Sequence, residues 1–290
     1  MLSSCIRGIG QRGLALLIMG VMLSLFAANG SAQDAPKNMP VLMPEEPSAS
    51  SHFAWSAAAE IDANYIWRGL YVGGLSLQAE ADVEYYGFFA NMWWNVGATD
   101  WNFGKRDATG NPLTGLNPEV DVALGYRYKG LTVMFMHMYY FDHYADGSHS
   151  RFFDFGNHAP GGGGITTEWR VKYRISDKVP LHILWCTRTF GRDGYMLNGE
   201  LKRAYSTYIE VGYTHTFKYD IRLGGALGLT PWKSMYTGFE KDFAIVNLNI
   251  SLGKSWTLTD YCSVNVGGVL MLNPSSLQPM ANIRAGVAWH

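Results

Sequence analysis

Apolar and polar residues alternate with a period of two through most of the chain from Phe53 to its end. Between Phe53 and Tyr65 every second residue is apolar, and Glu60, Asp62 and Asn64 occupy positions between them. Successive side chains of a β-strand point to opposite faces, so this pattern predicts strands with one apolar and one polar face. We find no convincing segment with the 3.6-residue period of an amphipathic helix.

The pattern recurs often enough to predict twelve strands, each of about the 9–11 residues with which a tilted strand crosses a membrane. The predicted strands are residues 53–65, 75–85, 87–96, 119–128, 131–141, 165–175, 181–190, 205–217, 221–230, 243–252, 261–271 and 281–289. Most connections alternate between short turns and longer loops, although the contrast is weak around residues 253–260. An even number of strands with this alternation is typical of bacterial outer-membrane barrels.

The two faces of the predicted strands support the same fold. One face is apolar along nearly every strand and the other is mostly polar, whereas a soluble barrel has its apolar face inside. Closure of the sheet leaves no strand edge with unpaired backbone N–H and C=O groups, which lipid cannot hydrogen-bond. We therefore predict an all-β, transmembrane, antiparallel up-and-down barrel over residues 52–290. Aromatic residues near strand ends are expected at the lipid headgroups; they are Tyr65, Trp67, Tyr85, Tyr86, Trp93, Trp94, Tyr139 and Tyr140.

The first 32 residues have the composition of a secretory signal peptide. Arg7 and Arg12 precede an apolar run that ends in the small residues Gly30-Ser31-Ala32, which predicts cleavage after Ala32. A retained anchor helix is the alternative. Residues 33–51 contain four prolines and no periodicity, so we expect a disordered periplasmic lead-in. These features predict the outer membrane of a Gram-negative bacterium, with outer-membrane lipids and the barrel-assembly machinery as partners.

Composition narrows the classes of function. The net charge of −1 is too balanced to suggest binding of nucleic acid. Charged residues make up only 16% of the chain, and no apolar run after Ala32 approaches the roughly 18 residues of a membrane helix. Cys186 and Cys262 cannot build a disulfide framework and lack metal-ligand spacing, so we interpret them as small apolar side chains. No cofactor is predicted.

Charged residues on the polar faces segregate around the predicted barrel. The acidic wall consists of Glu60, Asp62, Glu80, Asp82, Glu84, Glu119 and Asp121. The basic wall consists of Arg170, Lys172, Arg174, Arg188, Arg222 and Arg284. Because a low-dielectric wall focuses such charges into a transverse field, this arrangement predicts a passive pore for small polar or charged solutes.

A packed interior is the alternative to an open pore, because acids and bases can pair across a barrel of this size. Arg284, on the last strand, should neighbour the first strand and pair with Glu60 or Asp62. Arg68 follows an aromatic residue at the end of the first predicted strand. The period turns Arg68 inward, so we predict that it lies at the wet extracellular rim while Tyr65 and Trp67 face lipid.

Two other classes of function compete with a channel. An outer-membrane acyl hydrolase would need a His–Ser pair, and the candidates lie in one segment: His137, His143, Ser148, His149 and Ser150. His143, Asp146 and His149 are a weaker candidate for binding a metal. Alternatively, the long loops at 142–164 and 191–203 bind a partner or a surface glycan, or fold inward as a constriction.

The segment "YIWRG" at residues 65–69 resembles the TorF-type porin family of Gram-negative outer-membrane proteins. Members of that family begin with a strand that ends in Tyr, an apolar residue, an aromatic residue, Arg and Gly. A third strand similar to "GFFANMW", here residues 87–93, follows. The resemblance covers mainly the first three strands, about residues 57–96. It implies a small outer-membrane barrel and suggests transport, without indicating a solute.

Overall fold

The computed structural model describes residues 53–97, 117–141, 150–159, 163–176 and 178–290. The predicted signal peptide (1–32) and lead-in (33–51) lie outside these residues and stay predictions. In the described part of the chain, no helix is long and apolar enough to cross a membrane.

Twelve antiparallel strands close into a barrel, as the sequence predicts. Strands adjacent along the chain pair with each other, and the first strand also pairs with the last, with Asp62 opposite Arg284. The closed ladder leaves no strand edge without a partner, which is the condition for a sheet in lipid. The strands are β1 (Phe53–Asp62), β2 (Ser76–Tyr85), β3 (Phe88–Gly97), β4 (Asn117–Tyr128), β5 (Leu131–Tyr140), β6 (Ile165–Arg174), β7 (Leu181–Arg192), β8 (Thr207–Thr216), β9 (Ile221–Thr230), β10 (Ala244–Thr259), β11 (Cys262–Asn273) and β12 (Gln278–Trp289).

Connections differ in length at the two ends of the barrel. At the short-turn end, Tyr86 and Gly87 join β2 to β3, and the 3₁₀ turn Lys218–Asp220 lies between β8 and β9. The strand β10 continues past its predicted end at residue 252 to Thr259, so only two residues connect it to β11. The connection that looked long in the sequence at residues 253–260 is therefore a tight turn.

The opposite end, which we call the long-loop end, carries additional small elements. The first connection contains a hairpin formed by Tyr65–Trp67 and Leu70–Gly73. The connection from β7 to β8 contains a second hairpin, Gly194–Leu197 with Glu200–Arg203. A short strand, Asn157–His158, pairs in parallel with the end of β7, and a 3₁₀ turn, Met235–Thr237, precedes β10. Long loops at such a barrel face the cell exterior.

The outer face of the barrel is apolar and the inner face largely polar. Phe53, Leu124 and Ile250 are more than half exposed on the outside. Asp82 and Asn265 point inward and are almost fully buried. The inner face also has an apolar patch where β3, β4 and β5 meet, formed by Phe89, Ala123, Met134, Met136 and Met138. This patch settles the orientation of β5, which is apolar on both faces in the sequence.

Four of the aromatic residues predicted at the headgroups lie inside the barrel instead. Trp93 points inward because it is paired with Glu80 and Asp121, which face the lumen. Tyr140 is paired with Glu119 and points inward for the same reason. Tyr65 and Trp67 belong to the first hairpin, since β1 ends at Asp62 rather than continuing to Tyr65.

The apolar outer band predicts a cost for a charge that depends on its depth. Ile250, half-way along the barrel wall, is 54% exposed, and Leu258, near the short-turn end, is 62% exposed. We expect Ile250→Arg to lower the free energy of unfolding in lipid vesicles by about 2–4 kcal/mol and Leu258→Arg by about 1 kcal/mol or less. Urea titration followed by tryptophan fluorescence measures both. Equal losses at the two depths would contradict a membrane-spanning band.

Candidate functional site

The first hairpin, Tyr65–Gly73, folds into the barrel instead of extending outward, and we call it the inner hairpin. The wall of the barrel holds its base. The backbone N–H of Asn64 donates to Asn282 Oδ1 at 3.0 Å, and Asn64 Nδ2 donates to the carbonyl of Ala281 at 2.9 Å. Both partners belong to β12, so the chain bends into the lumen directly after β1.

Arg68, in the turn of the inner hairpin, reaches the wall of the lumen at β6. Its Nη1 and Nη2 donate to Glu168 Oε2 at 2.7 Å and Oε1 at 2.9 Å. Nη1 also donates to the Tyr236 hydroxyl at 2.9 Å, and Nη2 lies 2.9 Å from Cys186 Sγ. Two parallel bonds from a guanidinium to a carboxylate fix both position and orientation. The tip of the hairpin is therefore locked against the wall.

Gly69 brings the backbone of the hairpin against β10. Its φ of +83° is in the left-handed region, and a Cβ at this position would lie 1.8 Å from the Val246 carbonyl oxygen. Asn273 of β11 donates to the carbonyl of Gly69 at 2.9 Å. Only glycine fits this contact without displacing the hairpin or the wall.

Aromatic rings enclose the buried ion pair. The guanidinium of Arg68 lies 4.5 Å from the ring centre of Trp67 and 5.0 Å from that of Tyr208. Trp67 also packs on Tyr236, with ring centres 5.8 Å apart. Burial raises the pKa of Tyr236 to about 12, so this phenol stays neutral and accepts a hydrogen bond from Arg68 without adding charge.

The predicted place of Arg68 at a wet rim is wrong. Arg68 is only 9% exposed, because the inner hairpin carries it into the lumen and onto Glu168, which is fully buried. Tyr65 and Trp67 do not face lipid. Tyr65 packs on Trp93 at 5.7 Å between ring centres, and its hydroxyl donates to Glu119 Oε2 at 3.4 Å. The alternating period does not distinguish a lipid-facing strand from a hairpin among aromatic residues inside the barrel.

The predicted acidic wall faces the lumen, and polar neighbours hold several of its carboxylates. Glu60 lies 3.8 Å from the guanidinium of Arg284, so these two predicted partners do meet. Asn282 donates to Asp62, and Asn91 donates to Glu80 at 2.7 Å. Arg284 therefore belongs to the acidic side of the barrel rather than to the basic wall.

A separate cluster forms near the short-turn end around Arg127, which the prediction did not include in the basic wall. Arg127 makes two bonds of 3.0 Å to Asp82 and one of 2.7 Å to Glu84. Its guanidinium lies 3.6 Å from the ring centre of Phe89. The sequence contained a signal for this cluster, since Arg127 lies on the polar face of β4 with Glu119 and Asp121.

Near the long-loop end, acidic and basic residues are interleaved. Glu168 accepts from Arg170 as well as from Arg68. Arg188 is buried beside Trp67, 5.6 Å from its ring centre. Glu119 and Asp121 are also buried on β4.

The other predicted members of the basic wall lie on the inner face nearer the short-turn end; they are Lys172, Arg174 and Arg222. The two predicted walls are thus partly broken into local clusters.

A cavity of about 280 Å³ remains in the lumen beside the inner hairpin. Side chains from both sides of the barrel contribute to its lining, including Glu60, Asp62 and Glu80 on one side and Arg170 and Lys172 on the other. The hairpin residues 65–68 line it as well. A small polar solute can be accommodated at this point.

The alternative sites of the sequence analysis lie only partly in the described part of the chain. His143, Asp146, Ser148 and His149 fall outside it. Ser150 Oγ donates to the carbonyl of Tyr140 at 2.6 Å and lies 3.1 Å from the Tyr139 hydroxyl. His137 points outward and packs under Phe152, with ring centres 4.4 Å apart. Both residues thus take part in packing this loop against the outside of the barrel.

The long loops do not form the constriction in the regions that the structure describes. Phe152 and Phe155 of the loop at 142–164 lie on the outer surface against His137. The hairpin of the second loop is largely exposed, with Met196 62% exposed. The constriction instead comes from the first connection, between β1 and β2, which the sequence predicted to be an external loop.

Comparison with solved structures finds outer-membrane proteins. The KdgM porin has a TM-score of 0.43 and 11% identity, over 81% of this chain and 98% of the porin. An outer-membrane channel from Pseudomonas putida F1 has a TM-score of 0.40 and 9% identity, over 84% and 98%. The β domain of the Bordetella autotransporter BrkA has a TM-score of 0.36 and 9% identity, over 82% and 99%. No family model and no curated protein matches the sequence.

The bidentate pair predicts a loss of stability when Arg68 is neutralised. We expect Arg68→Gln to lower the free energy of unfolding by about 3 kcal/mol, because Glu168 then loses its main partner in a buried site. Urea titration in lipid vesicles measures the change. Lys202→Ala is the control, since it removes a solvent-exposed pair with Glu200 and should have little effect. Equal effects of the two substitutions would show that the lumen pair is as weak as a surface pair.

Proposed function

We propose that this protein is a channel of the outer membrane that admits small polar solutes through a lumen narrowed by the inner hairpin. The observation that carries the proposal is a cavity of about 280 Å³, lined in part by charged side chains, inside a closed barrel whose outer face is apolar. A barrel of twelve strands lies between small barrels filled with side chains and wide porins with an aqueous channel. Additional narrowing by a hairpin restricts the size of the solute.

Charge on the lumen wall supports passage of polar rather than apolar solutes. The cavity is lined by carboxylates from β1 and β2 and by cationic groups from β6. In a low-dielectric surround, such groups act strongly on a solute that carries a charge or a dipole. Membership of the TorF-type family and a partner bound by the loops stay predictions.

The proposal predicts conductance steps when the purified protein is reconstituted in a planar lipid bilayer. Folding of each sample is checked independently by heat-modifiable migration in a gel, which reports an intact barrel. A folded barrel that gives no steps would refute a channel and would favour a function of the external loops.

Removal of the constriction should increase the conductance. We expect a variant in which residues 65–73 are replaced by a short Gly-Ser turn to conduct more per channel, because the lumen loses the element that crosses it. Gly69→Ala should change the conductance in the same direction with less disruption, since the clash with Val246 displaces the hairpin tip.

The exposed hairpin at residues 194–203 provides a matched control. Replacing residues 195–202 by the same short turn removes a hairpin of similar length outside the lumen, so it should leave the conductance unchanged. If both deletions change the conductance equally, the inner hairpin is not the constriction.

A further inference from the structure

We infer that the cavity beside the inner hairpin is a binding site for a small zwitterion, a solute with an ammonium group at one end and a carboxylate at the other. The inference rests on the proposed function, because the cavity lies in the proposed path. It adds the chemical class of the solute and the residues that bind each end. Three observations support it.

First, the charges that line the cavity are unevenly distributed. On one side, Glu60, Asp62 and Glu80 form an acidic corner on β1 and β2, where Arg284 of β12 is the one cation among the described lining residues. On the other side, Arg170 and Lys172 line the cavity from β6, which lies nearly opposite β1 in the circle of strands, and Glu210 of β8 is the one carboxylate described in the lining there. A solute with a single charge would be attracted by the excess of charge on one side and repelled by that on the other. A solute with both charges satisfies both sides in one orientation.

Second, the acidic corner contains a carboxylate oxygen without a hydrogen-bond partner among the described residues. Asp62 is only 3% exposed, and Asn282 donates to its Oδ1, but its Oδ2 is buried and has no partner. A buried carboxylate oxygen left without a donor is unfavourable. An ammonium group has three N–H donors and a positive charge, and so supplies what this site lacks.

Third, aromatic rings lie beside the acidic corner. Tyr65 and Trp93 both line the cavity, with ring centres 5.7 Å apart. Trp93 is paired with Glu80 across β3 and β2, so ring and carboxylate point into the lumen side by side. The face of an aromatic ring attracts a cation, and tryptophan does so most strongly. Rings next to carboxylates thus favour an ammonium group at this end.

The other end of the cavity fits a carboxylate. Arg170 is oriented by its bond to Glu168, and Lys172 follows two residues later on the same face of β6. The cavity of about 280 Å³ has room for a solute of the size of an amino acid. The ammonium end is therefore expected at β1 and β2, and the carboxylate end at β6.

Calorimetric titration of the detergent-solubilised protein with three probes tests the inference. L-serine carries both charges, its methyl ester carries only the ammonium, and N-acetyl-L-serine carries only the carboxylate. We expect L-serine to bind at least about tenfold more tightly than either analogue, which is the effect of losing one charged hydrogen bond. Equal binding of the three probes, or tighter binding of one analogue, would overturn the inference.

Two substitutions test which residues bind each end of the solute. Asp62→Asn should weaken the binding of L-serine about tenfold and leave N-acetyl-L-serine unaffected. Lys172→Gln should weaken L-serine and leave the methyl ester unaffected. Asp260→Asn, in the exposed turn after β10, is the control that changes neither. If heat-modifiable migration shows that Asp62→Asn does not fold, Glu80→Gln replaces it with the same expectation.

The binding test and the conductance test can fail independently of each other. If the protein binds L-serine with this pattern but gives no conductance steps, the channel is wrong and the site stands. If it conducts but the three probes bind alike, the site is wrong and the channel stands.

Discussion

The lumen depends on one buried ion pair, that of Arg68 with Glu168. The guanidinium and the carboxylate meet through two bonds of 2.7 and 2.9 Å, and Glu168 is fully buried. Removing two ions from water is costly, so such a pair persists only where its geometry is good and further hydrogen bonds satisfy both groups. Tyr236 and Arg170 provide those bonds. The pair thus holds the tip of the inner hairpin against the wall, inside the lumen.

The closed barrel makes this interior possible. Since each of the twelve barrel strands pairs with a neighbour on both sides, the wall forms its own backbone hydrogen bonds. Its inner face can therefore carry polar and charged side chains. These charges do not form two uninterrupted walls. Arg127 pairs with Asp82 and Glu84 near the short-turn end, and Glu168 pairs with Arg68 and Arg170 near the long-loop end. Charges of both signs therefore meet in local clusters at both levels of the lumen.

The sequence predicted the frame better than the interior. Strand number and closure follow from the period of two and the lengths of the connections, and both are local properties of the chain. The inner hairpin was missed because Tyr65 and Trp67 continue the period of β1 after Asp62, although the chain has already turned inward. The partner of Arg68 is 100 residues away on β6. A single sequence contains no signal for that contact, only the unusual presence of an arginine among aromatic residues.

The same physical effect explains both the constriction and the remaining cavity. In a medium of low dielectric constant, opposite charges that meet attract strongly, and a charge without a partner is correspondingly unfavourable. Arg68 and Glu168 meet, so they lock the hairpin in place. Asp62 is held at one oxygen by Asn282 and lacks a donor at the other. The inner hairpin, which narrows the lumen, thus also forms one wall of the cavity. A positively charged group of a solute is stabilised there by Asp62.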